Sequence, residues 1–366
     1  MKDINIAFVG DIMPGGLLHY SNSSFINGDV LNYLNTFDLR VGTLECALGD
    51  DLEYYRNLMD EKARNKNTIY AKNDDIQKIK KLNIDIVTIA NNHICDLGEE
   101  GLLNTINILE KNNIKFCGAG KNIHDASKPA IINLNNKSCA FIGCTDDFKS
   151  TLYPSPYAAS EKNPGFNPLN INTLSKDISK AKKLYDYVFV LPHWGNEYTY
   201  FPPYRCKQFA YEMINAGADG VFGGHSHTIQ PIIFYKKRPI VFSMGNFLFP
   251  DRFVQPPAPT YYPENLDRYK NAPKSNSPRC STITLKTWKP MARVGMIVNL
   301  TISDRITIGK QTTKLNSSNQ IIFFKIKKRI KYLLLVNSVM IKCCYKQYLF
   351  FIAILTKVKR KLKTLL

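Results

Sequence analysis

The chain has 366 residues, 44% hydrophobic and 22% charged, which excludes a disordered chain and supplies apolar material for one large or two ordinary globular domains. Its 49 Lys and Arg against 30 Asp and Glu give a net charge of +19, but twelve of those cations and no carboxylate fall in residues 319–366, so the remaining 318 residues carry only +7. No run reaches the roughly eighteen uncharged apolar residues of a clean membrane span.

The first ten residues enter a strand over residues 4–9 that stops at Gly10-Asp11, and Asp3 and Asn5 interrupt the place of a signal-peptide apolar region, so no signal peptide is expected. A second strand over 37–44 ends at Glu45. Asn73 can cap a helix whose apolar positions Ile76, Ile79 and Leu82 recur about once per turn. A third strand over 84–90 ends at Asn91-Asn92-His93, and a helix over 99–111 follows with Leu102, Leu103, Ile106 and Leu109 on one face. A strand over 188–191 ends at His193, and a helix over 204–215 leads into a strand over 220–222 that delivers Gly223-Gly224-His225-Ser226-His227. A hairpin of 229–235 and 239–249 turns at Lys236-Lys237-Arg238, and the Pro-rich residues 250–279 read as a lid-like loop. Closing strands lie in 281–309, a linker is expected at 310–320, and a basic, apolar helical tail fills 321–366. Strands alternating with helices are the pattern of an α/β domain, here expected over 1–309 with its motifs in 1–250.

The tail mixes Lys and Arg with dense aliphatic stretches. That mixture suits a segment lying on an anionic membrane surface, and equally a helical hairpin packed on the domain with its cations solvated. It lacks the aromatic and glycine pattern of an RNA-recognition module, and nucleic acid is not expected as a partner. Nine cysteines, odd in number and without a Cys-x-x-Cys pair, suggest no disulfide framework and a reducing cytoplasm.

Strand after strand ends in a polar cluster, and in open α/β sheets ligands bind outside the carboxyl ends of strands. Asp11, Glu45, Asn92 with His93, His193, His225 and His227 are therefore candidates for one site, and they include four of the six histidines. Imidazole, carboxylate and carboxamide oxygen together hold divalent transition ions, with one carboxylate able to bridge two of them.

The ordered motifs Gly10-Asp11-Ile12-Met13, Thr43-Leu44-Glu45, Ala90-Asn91-Asn92-His93 with Asp96 and Gly98, His193-Trp194-Gly195-Asn196-Glu197-Tyr198, Gly223-Gly224-His225-Ser226-His227 with Gln230, and Ser243-Met244-Gly245-Asn246-Phe247 resemble the calcineurin-like metallophosphoesterases. The resemblance is closer to the CapA family of capsule and poly-gamma-glutamate synthesis proteins. It implies an αββα sandwich with a metal site at the carboxyl ends of the strands. It implies Asp11 and His227 on a first ion, Asn92, His193 and His225 on a second, and Glu45 as the bridge. His93 would be the proton donor or charge stabiliser at the scissile bond, and Asp96 would either orient His93 or cap the following helix. Trp194, Glu197 and Tyr198 would wall the substrate pocket, with Asn246 at its rim or in a turn.

Two departures from working phosphoesterases also belong to the CapA pattern: Met13 replaces the His of Asp-x-His, and Glu45 replaces a bridging Asp. One or two ions of Mn, Fe or Zn are thus expected. Within the CapA pattern, Thr43 stands where Asn is usual and Ser226 where Pro is usual. The resemblance implies a metal-dependent hydrolase of a phosphoester or polymer-linked substrate, and alternatively a non-catalytic module binding an anionic polymer or a capsule-synthesis partner. Because family members carry an N-terminal anchor and this chain shows none, a cytoplasmic protein held on the inner face of the membrane by its tail is expected.

Overall fold

In Ile4–Ile12, side chains alternate between two cores: Ile4, Ile6 and Phe8 enter one apolar cluster, Ala7 and Val9 another, as a strand's period of two requires. The structure, a computed structural model, describes residues 3–21, 24–59, 67–146, 157–256, 259–277 and 280–343. The first sheet runs in the order Ile321–Phe323, Ile306–Leu315, Val294–Ile302, Ile4–Ile12, Leu39–Leu44, Ile86–Thr88 and Lys115–Cys117. Its last four strands are parallel and its first three join antiparallel.

The second sheet runs Ile232–Tyr235, Arg238–Val241, Gly220–Phe222, Tyr187–His193, Lys137–Thr145 and Ala130–Leu134, with its four central strands parallel. The inner faces of the two sheets meet through aromatic rings. Phe8 stacks on Phe222 with centroids 3.7 Å apart, and Phe189 and Phe141 lie within 6.2 Å of it. Helices Gly28–Leu34, Ile76–Lys81 and Gly98–Lys111 bury Val30, Leu34, Ile76, Ile79, Leu102, Ile106 and Leu109 over the outer face of the first sheet. Ile171–Leu184 and Tyr204–Asn215 cover the second with Leu174, Ile178, Ala210 and Met213. These four layers form the αββα sandwich.

Several elements differ from the sequence reading. Residues 310–315, expected as linker, continue the strand Ile306–Leu315, which pairs with Val294–Ile302 from Ile302 opposite Ile306 to Val294 opposite Lys314. Lys310 and Gln311 are exposed and Thr312 is half-buried, so this part of the strand carries the polarity of a loop. The turn that follows is closed by Asn316, whose side chain accepts from the backbone of Ser318 and Gln320. The stretch 250–279 is not a structureless lid in its described part. Arg252–Val254, Thr260–Tyr261, Lys274–Ser275 and Thr284–Lys286 form a four-stranded sheet of their own, built from strands too short to show a period.

The expected strand 239–249 is broken. Arg238–Val241 stays in the second sheet, Gly245 takes φ +68°, and Asn246–Leu248 crosses to pair parallel with Ile4–Ile12, Asn246 opposite Asp11. In the tail, Lys328–Cys343 is a helix that docks on the domain: Leu334 and Ile341 are buried, Ser338 Oγ donates to Ile232 O at 3.1 Å, and Asn337 Nδ2 donates to Tyr200 O at 3.1 Å. The rest of the tail, 344–366, lies outside the described residues. No helix among the described residues is long and apolar enough to cross a membrane.

Candidate metal centre

Parallel strands share a direction, so the carboxyl ends of both sheets open on one edge of the sandwich. Asp11 lies at the end of Ile4–Ile12, Glu45 follows Leu39–Leu44, Asn92 and His93 follow Ile86–Thr88, His193 ends Tyr187–His193, and His225 and His227 follow Gly220–Phe222. Glycine makes this convergence possible at two positions. A Cβ on Gly10 would lie 1.7 Å from Gly245 O, and one on Gly224 would lie 2.5 Å from Asp11 Oδ1. His225 and His227 themselves hold φ of +85° and +51°, a left-handed backbone that non-glycine residues adopt at a cost and that concentrates at functional sites.

The six expected ligands come together. Within each of two groups, Glu45 with His193 and His225, and Asp11 with Glu45 and His227, the ligand atoms lie within 4.8 Å of one another, and Glu45 belongs to both. His193 Nε2 is 3.4 Å from Glu45 Oε1, 3.2 Å from His225 Nδ1 and 2.9 Å from Asn92 Oδ1. His227 Nε2 is 3.7 Å from Glu45 Oε1, and its Nδ1 donates to Asn246 Oδ1 at 2.8 Å, while Asn246 Nδ2 donates to Ala292 O. Asn246 thus orients a candidate ligand instead of standing at the rim, a role that the crossing of its strand creates.

Both oxygens of Glu45 and Oδ1 of Asp11 are buried with no hydrogen-bond partner among the described residues. Burial raises both carboxyls, Asp11 well above the carboxylate range with the Glu45 charge adding to it, and Glu45 to about 7. Burial, reinforced by the neighbouring imidazoles, holds His193 and His225 well below the usual histidine value. Neutral imidazoles facing buried carboxylate oxygens that lack partners form a donor set that fits one or two divalent transition ions. Met13, which replaces the imidazole of the phosphoesterases, is fully buried in the core of the first sheet's outer face.

Beside this cluster opens a cavity of about 410 Å³ lined by His93, Glu197, Tyr198, Arg252, Lys286 and Trp288, among others. His93 Nδ1 lies 2.7 Å from Asp96 Oδ2, which also accepts from the Ile69 backbone at 2.6 Å. The helix Gly98–Lys111 starts after Leu97 without a side-chain cap, so Asp96 orients His93 and does not cap this helix.

Trp194 does not wall the cavity. It is 2% exposed, packs in the outer core of the second sheet and donates from Nε1 to Phe242 O at 2.9 Å. Arg252, Lys286 and Trp288 were not expected from the sequence. The unusual length of the 250–279 stretch is a signal for Arg252 alone, since Lys286 and Trp288 lie beyond it.

The domain is thus an αββα sandwich that gathers imidazole, carboxylate and carboxamide groups at its strand ends. The family described as "Bacterial capsule synthesis protein PGA_cap" matches residues 5–251, and the chain belongs to it. It is 31% identical over 257 residues to "Capsule biosynthesis protein CapA" of Bacillus anthracis, covering 68% of this chain and 60% of that protein. It is 30% identical over 251 residues to "PGA biosynthesis protein CapA" of Bacillus subtilis (strain 168), covering 67% and 63%. The aligned regions thus span less than two thirds of the length of these curated relatives.

Among solved structures, it is similar to a hypothetical protein from Thermus thermophilus (TM-score 0.46, 11% identity, 85% of this chain and 99% of that one). It is also similar to a 5'-nucleotidase from Candida albicans (TM-score 0.40, 12% identity, 93% and 58%).

Proposed function

We propose that the chain is a metal-dependent hydrolase serving capsule or poly-gamma-glutamate synthesis, acting on a phosphoester or polymer-linked substrate. The observation that carries this reading is His93, which is paired with Asp96 behind it, Nδ1 and Oδ2 2.7 Å apart, and lines the same cavity as candidate ligands Asn92, His225 and His227. A module that only held metal or polymer would need no such pair.

Asp11, Glu45 and His227 would hold one ion, and Glu45, Asn92, His193 and His225 the other. Lewis-acid polarisation of the scissile group is the chemistry such ions supply. Asp96 accepts the Nδ1 proton of His93 and fixes the ring, so that Nε2 is the nitrogen that would give a proton to the leaving group. Trp288, 7% exposed and with its ring centroid 4.9 Å from that of His227, shields the same corner from water.

Metal analysis of the full-length protein beside His193→Ala and His225→Ala, and turnover of phosphoesters and gamma-glutamyl polymers beside His93→Ala, test this. Metal lost in the first two variants, with metal kept and turnover lost in the third, is the expected result. A metal-loaded protein that turns over none of these substrates would sink the hydrolase and leave a module that binds an anionic polymer or a synthesis partner.

Peripheral attachment to a membrane surface belongs to the same proposal. It rests on residues 344–366, which carry six Lys or Arg and no acid. Deleting them should release the protein from a membrane fraction, and continued sedimentation would refute the attachment.

A further inference from the structure

The wall of the cavity contributed by the 252–286 sheet holds two buried cations. Arg252 and Lys286 stand directly opposite each other across the antiparallel strands Arg252–Val254 and Thr284–Lys286, so their side chains share one face, and both line the cavity. Arg252 is 1% exposed, and none of its three guanidinium nitrogens has a hydrogen-bond partner among the described residues. Its contacts are aromatic, with Cζ 5.8 Å from the ring centroids of both Phe249 and Trp288. Lys286 is 7% exposed, and burial together with the Arg252 charge pushes its ammonium down to about 7.

Lys289, with Nζ 4.5 Å from the Tyr198 ring centroid, adds a third cation to the lining, against the single carboxylate of Glu197. Like charges directly opposed across a strand pair destabilise it, and a buried guanidinium without partners costs several kcal/mol. This arrangement is stable when an anion completes it, and a planar guanidinium matches the two oxygens of a carboxylate or phosphate.

We propose that Arg252 and Lys286 form an oxyanion subsite that holds a carboxylate or phosphate group of the substrate beside the metal centre. The subsite deepens the hydrolase reading above and rests on it for the word substrate, while oxyanion binding itself does not require turnover.

The test is calorimetric titration of the full-length protein, with metal content measured, using inorganic phosphate and gamma-glutamylglutamate as probes. Arg252→Met should weaken at least one probe tenfold or more, Arg252→Lys should recover part of the loss, and metal content should stay unchanged. A loss confined to phosphate identifies a phosphoryl group as the occupant, and a loss confined to the dipeptide identifies a carboxylate. Lys286→Met provides the same reading if Arg252→Met does not fold.

Unchanged affinity for both probes, with reduced metal content or melting temperature, would mean that Arg252 is only a counter-charge to the acidic cluster, and the subsite would be overturned. Arg252-dependent binding without any turnover would overturn the hydrolase and keep the subsite. Turnover with Arg252-independent binding would do the reverse.

Discussion

The floor beneath the cavity, the cluster at the strand ends of the sandwich, is made of acids and imidazoles, whereas the wall beside it, from the 252–286 sheet, carries cations. On the floor, burial raises Glu45 to about 7, and on the wall, burial lowers Lys286 to about 7. Removal from water disfavours charge of either sign, so carboxyl and ammonium values are driven toward each other. An exposed pair behaves differently. Asp186, hydrogen-bonded to Lys137 and Ser138 at the surface, is held below the carboxylate range because its partners are already present. Floor and wall thus carry opposite charge, so the floor suits a bound cation and the wall, on the proposal above, a bound oxyanion.

The largest expected effect falls on the floor. His193→Ala or His225→Ala should remove the ion that Glu45, Asn92, His193 and His225 would hold, lowering bound metal by about one ion per chain in elemental analysis. Full metal occupancy in both variants would remove the centre from this place. His93→Ala should keep its metal and lose about 10²- to 10⁴-fold in turnover, and a parallel loss of metal would reduce His93 to a structural part of the floor. Asn246→Ala, which removes the acceptor of the His227 Nδ1 proton, should weaken metal binding about 10- to 100-fold in a competition titration with a chelating dye.

Smaller effects, but opposite in sign, are expected from pH in the metal-stripped protein. Glu45 has a folded value of about 7 against an ordinary 4.5, so the folded state binds the extra proton, and its stabilising contribution, full below pH 4.5, is lost as pH rises through about 7. Glu45→Gln should therefore match the parent protein at pH 4.5 and exceed it in stability above pH 7.

Lys286 has a folded value of about 7 against 10.5, so the unfolded state binds the extra proton, and stability rises with pH between those values. Lys286→Met should gain most at pH 7 and below, with the gain fading toward pH 10. Urea denaturation of both variants across this range checks the pair. Identical pH profiles for the two would show that floor and wall do not differ in the way described.

The floor was readable in the sequence because each ligand sits at or within a few residues of a strand end, where an apolar run gives way to a polar cluster. The wall was not. Arg252 and Lys286 are separated by a Pro-rich stretch and meet only through the pairing of two three-residue strands. Trp194 failed for a related reason: consecutive residues at a strand end point to opposite faces, so the neighbour of a ligand enters the opposite core. Asn246 was found but given the wrong place, since nothing local signals that its strand leaves the second sheet for the first.

By itself the sequence determined the α/β alternation, the strand-end donor set and the concentration of positive charge in the tail, because these depend on residues near one another in the chain. Tertiary structure alone decided that 306–323 extends the first sheet, that the helix Lys328–Cys343 docks on the domain, and that two buried cations face the cavity. Those outcomes depend on pairings between distant segments, which local periodicity does not record.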